Sequence, residues 1–258
     1  MSNYYYLEDS ESDSGYAPVL DDDMFEAILS IAKRHGLKIT DKMIFEELYG
    51  GKKPRIKTSK KKTYLYLDGT NLFAGQNELF GPNKYLSFSY LVKEINKLID
   101  IDNIFFYASY IGQRNRGRLT KRRKQLIAAE ALFYREVKNF KGLSFYKGHR
   151  SPTSGKEKGV DVHLSVDIVK DVLLEKCDQI VIMTGDADLI YPLEIVKMFK
   201  IPTCAIFLPN RFSLEMAYKV DKAFVLNFLN RFKKERKLPK GLKVVPIKKP
   251  RMVNIRGR

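Results

Sequence analysis

From Thr63 onward, short apolar runs alternate with longer segments in which apolar residues recur at helical spacing. The short runs predict β-strands and the longer segments predict amphipathic helices. Strands that alternate with helices are typical of a parallel sheet with right-handed crossovers and helices on both faces. We therefore expect an α/β domain over residues 63–230. The predicted strands are TYLYLD, NIFFYASYI, LSFYKG, QIVIMT and TCAIFL, with AFVLNF as a further edge strand, and the predicted helices span 88–99, 118–140, 160–177, 189–199 and 213–219.

The residues before the domain divide by charge and by apolar spacing. Residues 1–23 are acidic and poor in aliphatic side chains, which predicts a disordered tail. Residues 24–51 predict a helical hairpin, because apolar residues recur at helical spacing on both sides of Gly36. A hairpin of this size is too small to be stable alone. We therefore expect it to dock on the main domain, on a protein partner or on a second copy of the chain.

Two basic segments flank the α/β domain. Residues 52–62 form a lysine-rich linker, for which a phosphate-contacting arm or a nuclear-import signal is the alternative interpretation. Residues 231–258 are rich in Lys and Arg, contain prolines and show no helical periodicity. This last segment therefore predicts a flexible basic tail.

Composition narrows the class of partner. The formal net charge is +17 and the pI is near 9.6, which favours a polyanion. No apolar run is long enough to span a membrane, so nucleic acid is favoured over a membrane surface. Cys177 and Cys204 lie in apolar stretches without metal-ligand spacing, which indicates a reducing compartment. The few histidines form no Cys/His cluster that could hold structural zinc. We expect a cytoplasmic protein, or a nuclear one in a eukaryote.

Four aspartates stand where predicted strands end or where a predicted helix begins. Asp68 ends TYLYLD, Asp186 and Asp188 follow QIVIMT, and Asp161 opens the helix predicted at 160–177. In a parallel α/β sheet these positions lie along one edge, which is where ligands bind. Carboxylates that gather there repel one another unless a hard cation such as Mg²⁺ neutralises them. The alternative for each acid is a helix cap, in which the carboxylate only accepts backbone amides.

The three acidic motifs together resemble those of a known family. YLYLDGTNL, KGVDVHLSVD and IVIMTGDADLIYPLEIV are similar to the DGxN, KGVDVxLxxD and SGDxDF motifs of the NYN domain family, the LabA-like branch of the PIN-related nucleases. The resemblance covers residues 63–228. It implies a parallel sheet flanked by helices, an acidic pocket that binds Mg²⁺ or Mn²⁺, and metal-dependent cleavage of RNA. Thr184 and Leu189 replace a frequent Ser and a frequent Phe, and neither change removes an acid.

The resemblance also implies roles for individual residues. Asp167 has a further explanation from the sequence alone, because a carboxylate on a largely covered helix needs a partner and a lysine would serve. By motif match, the metal-binding residues are Asp68, Asp161, Asp186 and Asp188, and the residues that orient ligands or water are Asn71 and Asp167.

Two groups of basic residues open on the same predicted edge as the aspartates. One group follows the second strand and continues into a helix, and the other lies in the loop before Asp161. Phosphate contacts from such runs give affinity that falls with salt and little sequence preference. The alternative for the first group is a helix start whose charged side chains are only solvated. Tyr110 and Tyr146 lie near strand ends, where they either stack on bases or pack in the core. The candidate nucleic-acid-binding residues are Arg114, Arg116, Arg118, Lys121, Arg122, Arg123, Lys147, Arg150, Lys156 and Lys158.

The sequence therefore predicts a metal-dependent ribonuclease that hydrolyses RNA phosphodiester bonds through its aspartates, with DNA left open as a substrate. One alternative is an NYN-like module that binds RNA or scaffolds a complex without cutting. A second alternative is a phosphatase or nucleotide-processing enzyme that uses the same metal site. The extensive basic surface disfavours this second alternative, because small substrates need no such footprint.

Overall fold

The computed structural model of the chain describes residues 61–110, 120–150, 157–233 and 237–255, together with Lys33, which is helical and exposed. The chain divides into two compact units, Met1–Ser59 and Lys60–Arg258, and all elements named below belong to the second unit. The predicted acidic tail lies outside the described residues. The same holds for the predicted hairpin apart from Lys33, and for the predicted linker apart from its last two residues.

A parallel sheet of seven strands forms the centre of the second unit, in the order β10-β9-β8-β7-β1-β3-β4. The predicted α/β fold with a parallel sheet is thereby confirmed. Two short antiparallel ribbons accompany the sheet, one made of β2 and β11 and the other of β5 and β6. The strands are β1 (Thr63–Asp68), β2 (Lys84–Leu86), β3 (Asn103–Ala108), β4 (Leu143–Lys147), β5 (His149–Arg150), β6 (Glu157–Lys158), β7 (Gln179–Met183), β8 (Thr203–Phe207), β9 (Lys222–Phe228), β10 (Leu242–Ile247) and β11 (Met252–Asn254).

Helices cover both faces of the sheet, because side chains alternate between the two faces along each strand. In β1, Leu65 and Leu67 pack with residues of the first three helices, whereas Tyr64 and Tyr66 pack with residues of the last three. No helix in the described ranges is long and apolar enough to cross a membrane. The helices are α1 (Gly69–Phe80), α2 (Phe88–Asn96), α3 (Lys121–Lys138), α4 (Val160–Leu173), α5 (Ile190–Met198) and α6 (Leu214–Lys219), and a 3₁₀ turn (Ala187–Leu189) precedes α5.

Part of the segment that was expected to be a flexible basic tail is ordered. Strand β10 pairs in parallel with β9, from Leu242 beside Ala223 to Ile247 beside Phe228. Most side chains of β10 are exposed or half-buried, so the strand has almost no apolar pattern, and its place in the sheet rests mainly on backbone pairing. Because β10 forms the edge, β9 is an interior strand and not the edge strand that its sequence predicted.

Helix α1 was missing from the predicted elements. Its sequence, GTNLFAGQNELF, contains two glycines and has scattered apolar residues, which weakens the helical pattern. The helix begins directly after β1, and Asp68 is its N-cap. The end of β1 and the start of α1 therefore form one continuous turn at the carboxyl edge of the sheet.

Candidate active site

Asp68 lies at the carboxyl edge, where β1 runs beside β7. Leu67 is paired with Met183 in the parallel register, so the residues that follow the two strands, Asp68 and Thr184, are neighbours. The side chains of both residues are buried, with exposed fractions of 4% for Asp68 and 3% for Thr184. The first and third acidic motifs of the sequence therefore meet at this point of the fold.

Hydrogen bonds join the two motifs. One carboxylate oxygen of Asp68 accepts the backbone amide of Asn71 at 2.9 Å, and the other accepts the hydroxyl of Thr184 at 2.9 Å. The Thr184 hydroxyl oxygen in turn accepts the backbone amide of Asp186 at 3.0 Å. The amide oxygen of Asn71 accepts the backbone N–H of Gly185 at 3.2 Å. Each motif thus fixes the backbone or side chains of the other.

Asp186 and Asp188 lie on the turn that leads from β7 into α5. The Asp186 carboxylate accepts the backbone amide of Asp188 at 3.0 Å and so caps the 3₁₀ turn. The Asp186 side chain is half-buried, whereas that of Asp188 is exposed. The capping role that the sequence left open is therefore observed for both Asp68 and Asp186.

Two glycines of the motifs are required by close packing. A Cβ atom on Gly185 would lie 2.3 Å from the backbone oxygen of Arg211, and one on Gly69 would lie 2.1 Å from the ring of Phe106. Neither glycine has a positive φ, so the conformational freedom of glycine is not the reason for its presence. Instead, both allow neighbouring elements to approach the acidic turns closely.

The loop after β8 supports the site and was missed in the sequence. Asn210 donates to the backbone oxygen of Gly75 at 3.0 Å and to the Glu78 carboxylate at 2.8 Å, and the Arg211 guanidinium also pairs with Glu78. These contacts attach the loop to α1, and the backbone of Arg211 packs on Gly185. Polar residues directly after the predicted strand TCAIFL were the signal that could have indicated this loop.

The second acidic motif begins helix α4. Gly159 precedes the helix in the left-handed conformation with φ of 81°, and Asp161 lies in the first turn with an exposed side chain. Helix α4 packs against β1, β3 and the 3₁₀ turn that contains Asp188. Asp161 is therefore placed on a helix that contacts the acidic edge, in a position where the helix dipole stabilises negative charge.

Asp167 is engaged in fixing helix α4 to the sheet. Its carboxylate accepts the hydroxyl of Tyr107, a residue of β3, at 2.8 Å and pairs with Lys170. This is the lysine pair that the sequence offered as one explanation of the residue. The predicted role of orienting ligands or water is not needed to account for its position.

A second tyrosine–aspartate pair lies one turn further along α4. The hydroxyl of Tyr66 donates to the buried carboxylate of Asp171 at 2.8 Å, and Lys176 lies 3.6 Å from the same carboxylate. Burial and then the hydrogen bond to Asp171 raise the pKa of Tyr66 far above its usual value, so its hydroxyl stays a donor. Burial and then the hydrogen bond to Asp167 also raise the pKa of Tyr107 far above its usual value.

Comparison with known proteins identifies the family. A model of the NYN domain matches residues 62–227 of this chain. The chain belongs to the NYN domain family. The NYN family is one of the PIN-related nucleases, and the resemblance inferred from the three motifs is confirmed.

Neither curated sequences nor a matching solved structure assigns an activity to the chain. No curated protein sequence matches the chain. A crystal structure of a protein of unknown function from Vibrio parahaemolyticus has 12% sequence identity, a TM-score of 0.48, and a match that covers 67% of this chain and 95% of that chain.

The NYN domain presents oxygen donors of the kind that Mg²⁺ and Mn²⁺ prefer, namely carboxylates and an amide oxygen. PIN-related nucleases typically use divalent metals. In the part of the chain that the structure describes, however, no group of three or more His, Cys, Asp or Glu side chains could hold a metal ion. The expected gathering of four aspartates is therefore not observed. The carboxylates of Asp68 and Asp186 are instead turned towards amides at the starts of two helices.

The basic residues predicted to bind nucleic acid are partly placed by the structure. Helix α3 follows β3, so its first turn begins on the side of the carboxyl edge, and its lysine and arginine side chains there are exposed. Lys158 is exposed beside the start of α4. The backbone of Arg150 belongs to β5. The exposed residues of that first turn are Lys121, Arg122 and Arg123. Outside the described residues lie the other four candidates, Arg114, Arg116, Arg118 and Lys156.

The tyrosines that were candidates for base stacking pack against the domain. The Tyr110 ring meets the Tyr134 ring edge-on at 5.1 Å between centroids, and the amino group of Lys147 lies 5.5 Å from the Tyr110 centroid. Tyr146 stacks on His163 at 4.2 Å. Core packing, the alternative that the sequence left open, therefore describes Tyr110 and Tyr146, and Lys147 has a ring contact within the NYN domain.

Proposed function

We propose that this NYN domain is a metal-dependent ribonuclease that hydrolyses RNA phosphodiester bonds at the edge formed by β1 and β7. The observation that carries the proposal is the hydrogen-bonded link from Asp68 through Thr184 to Asp186. This link holds acids from two adjacent parallel strands at one place, where open α/β folds bind ligands. Membership of a nuclease family and the net charge of +17 support a nucleic acid as the substrate.

The chemistry of the donors supports Mg²⁺ or Mn²⁺ as the cofactor. We assign Asp68, Asp186, Asp188 and Asp161 as the residues that would hold it. Their carboxylates must turn towards the ion to do so, because among the described residues no three acids are gathered as a metal group. When bound, a divalent ion would make a water nucleophilic and would neutralise charge that develops on the phosphate oxygens and on the leaving group.

Hydrogen bonds within the chain hold the two acidic turns in place. Asp68 is buried and held by two donors, so its carboxylate has a fixed orientation before substrate arrives. Asn71 holds the backbone of Gly185 and thereby the turn that carries Asp186. Asp167 acts at a distance, because its bond to Tyr107 positions helix α4 and with it Asp161.

The basic residues at the same edge would bind the RNA backbone. The exposed first turn of α3, which contains Lys121, Arg122 and Arg123, follows β3 in the chain, and β3 ends at this edge of the sheet. Phosphate contacts from these residues would give binding that weakens as salt rises. They would position the strand without selecting its sequence.

The reduced state of the cysteines supports a location in the cytoplasm, or in the nucleus of a eukaryote. Cys177 and Cys204 are both free and buried. Burial raises the pKa of each thiol to about 12, so neither thiol is reactive at neutral pH.

Cleavage of a labelled structured RNA by the full chain tests the proposal. The wild-type protein is assayed with Mg²⁺ or Mn²⁺ and with EDTA, beside Asp186→Asn. Asp178→Asn is a matched control, because Asp178 precedes the same strand β7 at the opposite edge and accepts the backbone amide of Lys62. We expect EDTA to abolish cleavage, Asp186→Asn to lower its rate by about 100-fold or more, and Asp178→Asn to cleave like the wild type.

Two results would contradict a ribonuclease. One is cleavage that persists equally in EDTA and in Asp186→Asn, which would indicate a contaminating enzyme. The other is tight, salt-sensitive RNA binding without cleavage in any metal. That outcome would assign the domain as a non-catalytic RNA-binding module. We rank this function second, because the described residues include no group of three acids that could hold a metal ion.

A further inference from the structure

An apolar groove adjoins the candidate active site. It lies between α4 and α5, has a volume of about 500 Å³, and includes Asp188 in its lining. Aliphatic side chains such as Val166, Leu174 and Ile195 form most of its walls. Because the backbone amide of Asp188 is bonded to the Asp186 carboxylate at 3.0 Å, anything that fills the groove also reaches the acidic turn.

The side chains of this groove are unusually exposed for their type. Val166 is 57% exposed, Leu174 is 56% exposed and Tyr191 is 70% exposed. Contiguous exposed apolar surface on a globular domain usually marks a binding site. In the described part of the chain, the ring of Tyr191 contacts no other aromatic ring, in contrast to the rings of Tyr110 and Tyr146.

The charge of the groove indicates which part of a nucleotide it would accept. Among the lining residues, Lys170 is already paired with Asp167 and Asp188 is an acid, so the groove is poorly suited to a phosphate. A nucleobase is uncharged and has two apolar faces. Its stacking on aromatic side chains is tolerant of sequence, because every base has a π-face.

We propose that this groove holds an unpaired nucleobase of the RNA strand beside the acidic turn of Asp186 and Asp188, with the ring of Tyr191 stacked on the base. The proposal rests on the RNA-directed function proposed above. It also narrows the substrate, because a base in a duplex is paired and stacked and cannot enter the groove. The domain would therefore act on single-stranded segments with little preference for base identity.

RNA affinity tests the base site without requiring cleavage. The affinity of a fluorescent single-stranded oligonucleotide for the full chain is measured in EDTA by anisotropy, for the wild type, Tyr191→Ala and Tyr191→Phe. Tyr218→Ala is the matched control, since Tyr218 is 57% exposed on α6 and does not line the groove. We expect Tyr191→Ala to weaken binding by about 5- to 150-fold, which corresponds to the loss of one stacked base. Tyr191→Phe keeps the ring, so it and Tyr218→Ala should bind within about twofold of the wild type.

The outcomes separate this proposal from the ribonuclease itself. If Tyr191→Ala binds the single strand as the wild type does, the base site is wrong, even where the wild type cleaves RNA. If the wild type binds RNA through Tyr191 but never cleaves, the base site stands and the ribonuclease is wrong. A wild type that binds no single-stranded RNA overturns the base site. A dimer that sedimentation detects in the wild type and not in Tyr191→Ala, with RNA affinity unchanged, would assign the groove to a second copy instead.

Discussion

The hydroxyl of Thr184 donates to the carboxylate of Asp68 at 2.9 Å and thereby joins the ends of strands β7 and β1. The same hydroxyl oxygen accepts the amide of Asp186. A single side chain therefore sets the orientation of one acid and the backbone position of another. In the motif of the NYN family a serine is frequent at this position, and the geometry explains why a hydroxyl residue is suitable.

Replacing Thr184 tests the link directly. Thr184→Val keeps the shape and removes the hydroxyl, which leaves the buried Asp68 carboxylate without one donor. We expect a loss of about 1–3 kcal/mol in the free energy of unfolding by urea, and a cleavage rate lowered by about 10- to 100-fold. Thr184→Ser keeps the hydroxyl and should retain most activity, with a loss of about 1 kcal/mol for the deleted methyl. Equal stability and activity of the Val and Ser variants would contradict the link.

The two tyrosine–aspartate pairs should differ in what they contribute to stability. Each acid also pairs with a lysine, but the Asp171 side chain is 7% exposed whereas the Asp167 side chain is 26% exposed. Tyr66→Phe should therefore cost about 1–3 kcal/mol in urea unfolding, because it removes a donor from a buried carboxylate. Tyr107→Phe should cost less, about 0.5–1.5 kcal/mol. A larger loss for Tyr107→Phe than for Tyr66→Phe would show that the exposure of the acid does not decide the cost.

The architecture could be predicted from the sequence to the extent that the apolar pattern encodes it. The alternation of strands and helices is a local pattern, so the strands and the helix that carry the three acidic motifs were identified correctly. The order of the strands in the sheet could not be predicted, because it depends on pairing between distant segments. Strand β10 was not predicted, because it buries few side chains and so has almost no apolar pattern. Helix α1 was missed because its apolar residues are irregularly spaced around two glycines.

The places of the candidate acids at strand ends and at a helix start could be predicted from the sequence, whereas the contacts that support them could not. Asp68, Asp186 and Asp188 stand out because they follow apolar strands. The partner of Asp171 is a tyrosine 105 residues away, and nothing in the spacing of either residue indicates the contact. The support of Gly185 by the loop at Arg211 likewise depends on the order of β7 and β8 in the sheet.

The close approach at Gly185 predicts a specific loss of function. Gly185→Ala would place a Cβ atom 2.3 Å from the backbone oxygen of Arg211, so the acidic turn must shift. We expect a cleavage rate lowered by about 10- to 100-fold. Gly142→Ala is the control, because no atom lies within 4 Å of its Cβ position and its φ of 80° makes the change cost roughly 1–2 kcal/mol in stability alone. Wild-type cleavage by Gly185→Ala would contradict the packing account.

Asp221 predicts a dependence of stability on pH. Burial alone would raise its pKa, but hydrogen bonds from the amide and hydroxyl of Thr203, with Lys197 nearby, lower the pKa below its ordinary value. A lowered pKa in the folded state stabilises the fold above the unfolded pKa, and this contribution is lost as pH falls through the folded pKa. The stability difference between the wild type and Asp221→Asn should be largest near pH 7 and should shrink below about pH 4 in urea titrations. A difference that is constant between these pH values would contradict this assignment.

Direct titration with Mn²⁺ tests the central claim, which is that the acidic edge holds the catalytic metal. Calorimetry would compare the wild-type chain with Asp186→Asn and Asp161→Asn, and with Asp178→Asn as the control at the opposite edge. We predict that the wild type and Asp178→Asn bind Mn²⁺ alike, and that Asp186→Asn and Asp161→Asn bind at least about 10-fold more weakly. If the wild type binds no Mn²⁺, or if Asp186→Asn binds it as tightly as the wild type, the metal is not held at this edge and the account is wrong.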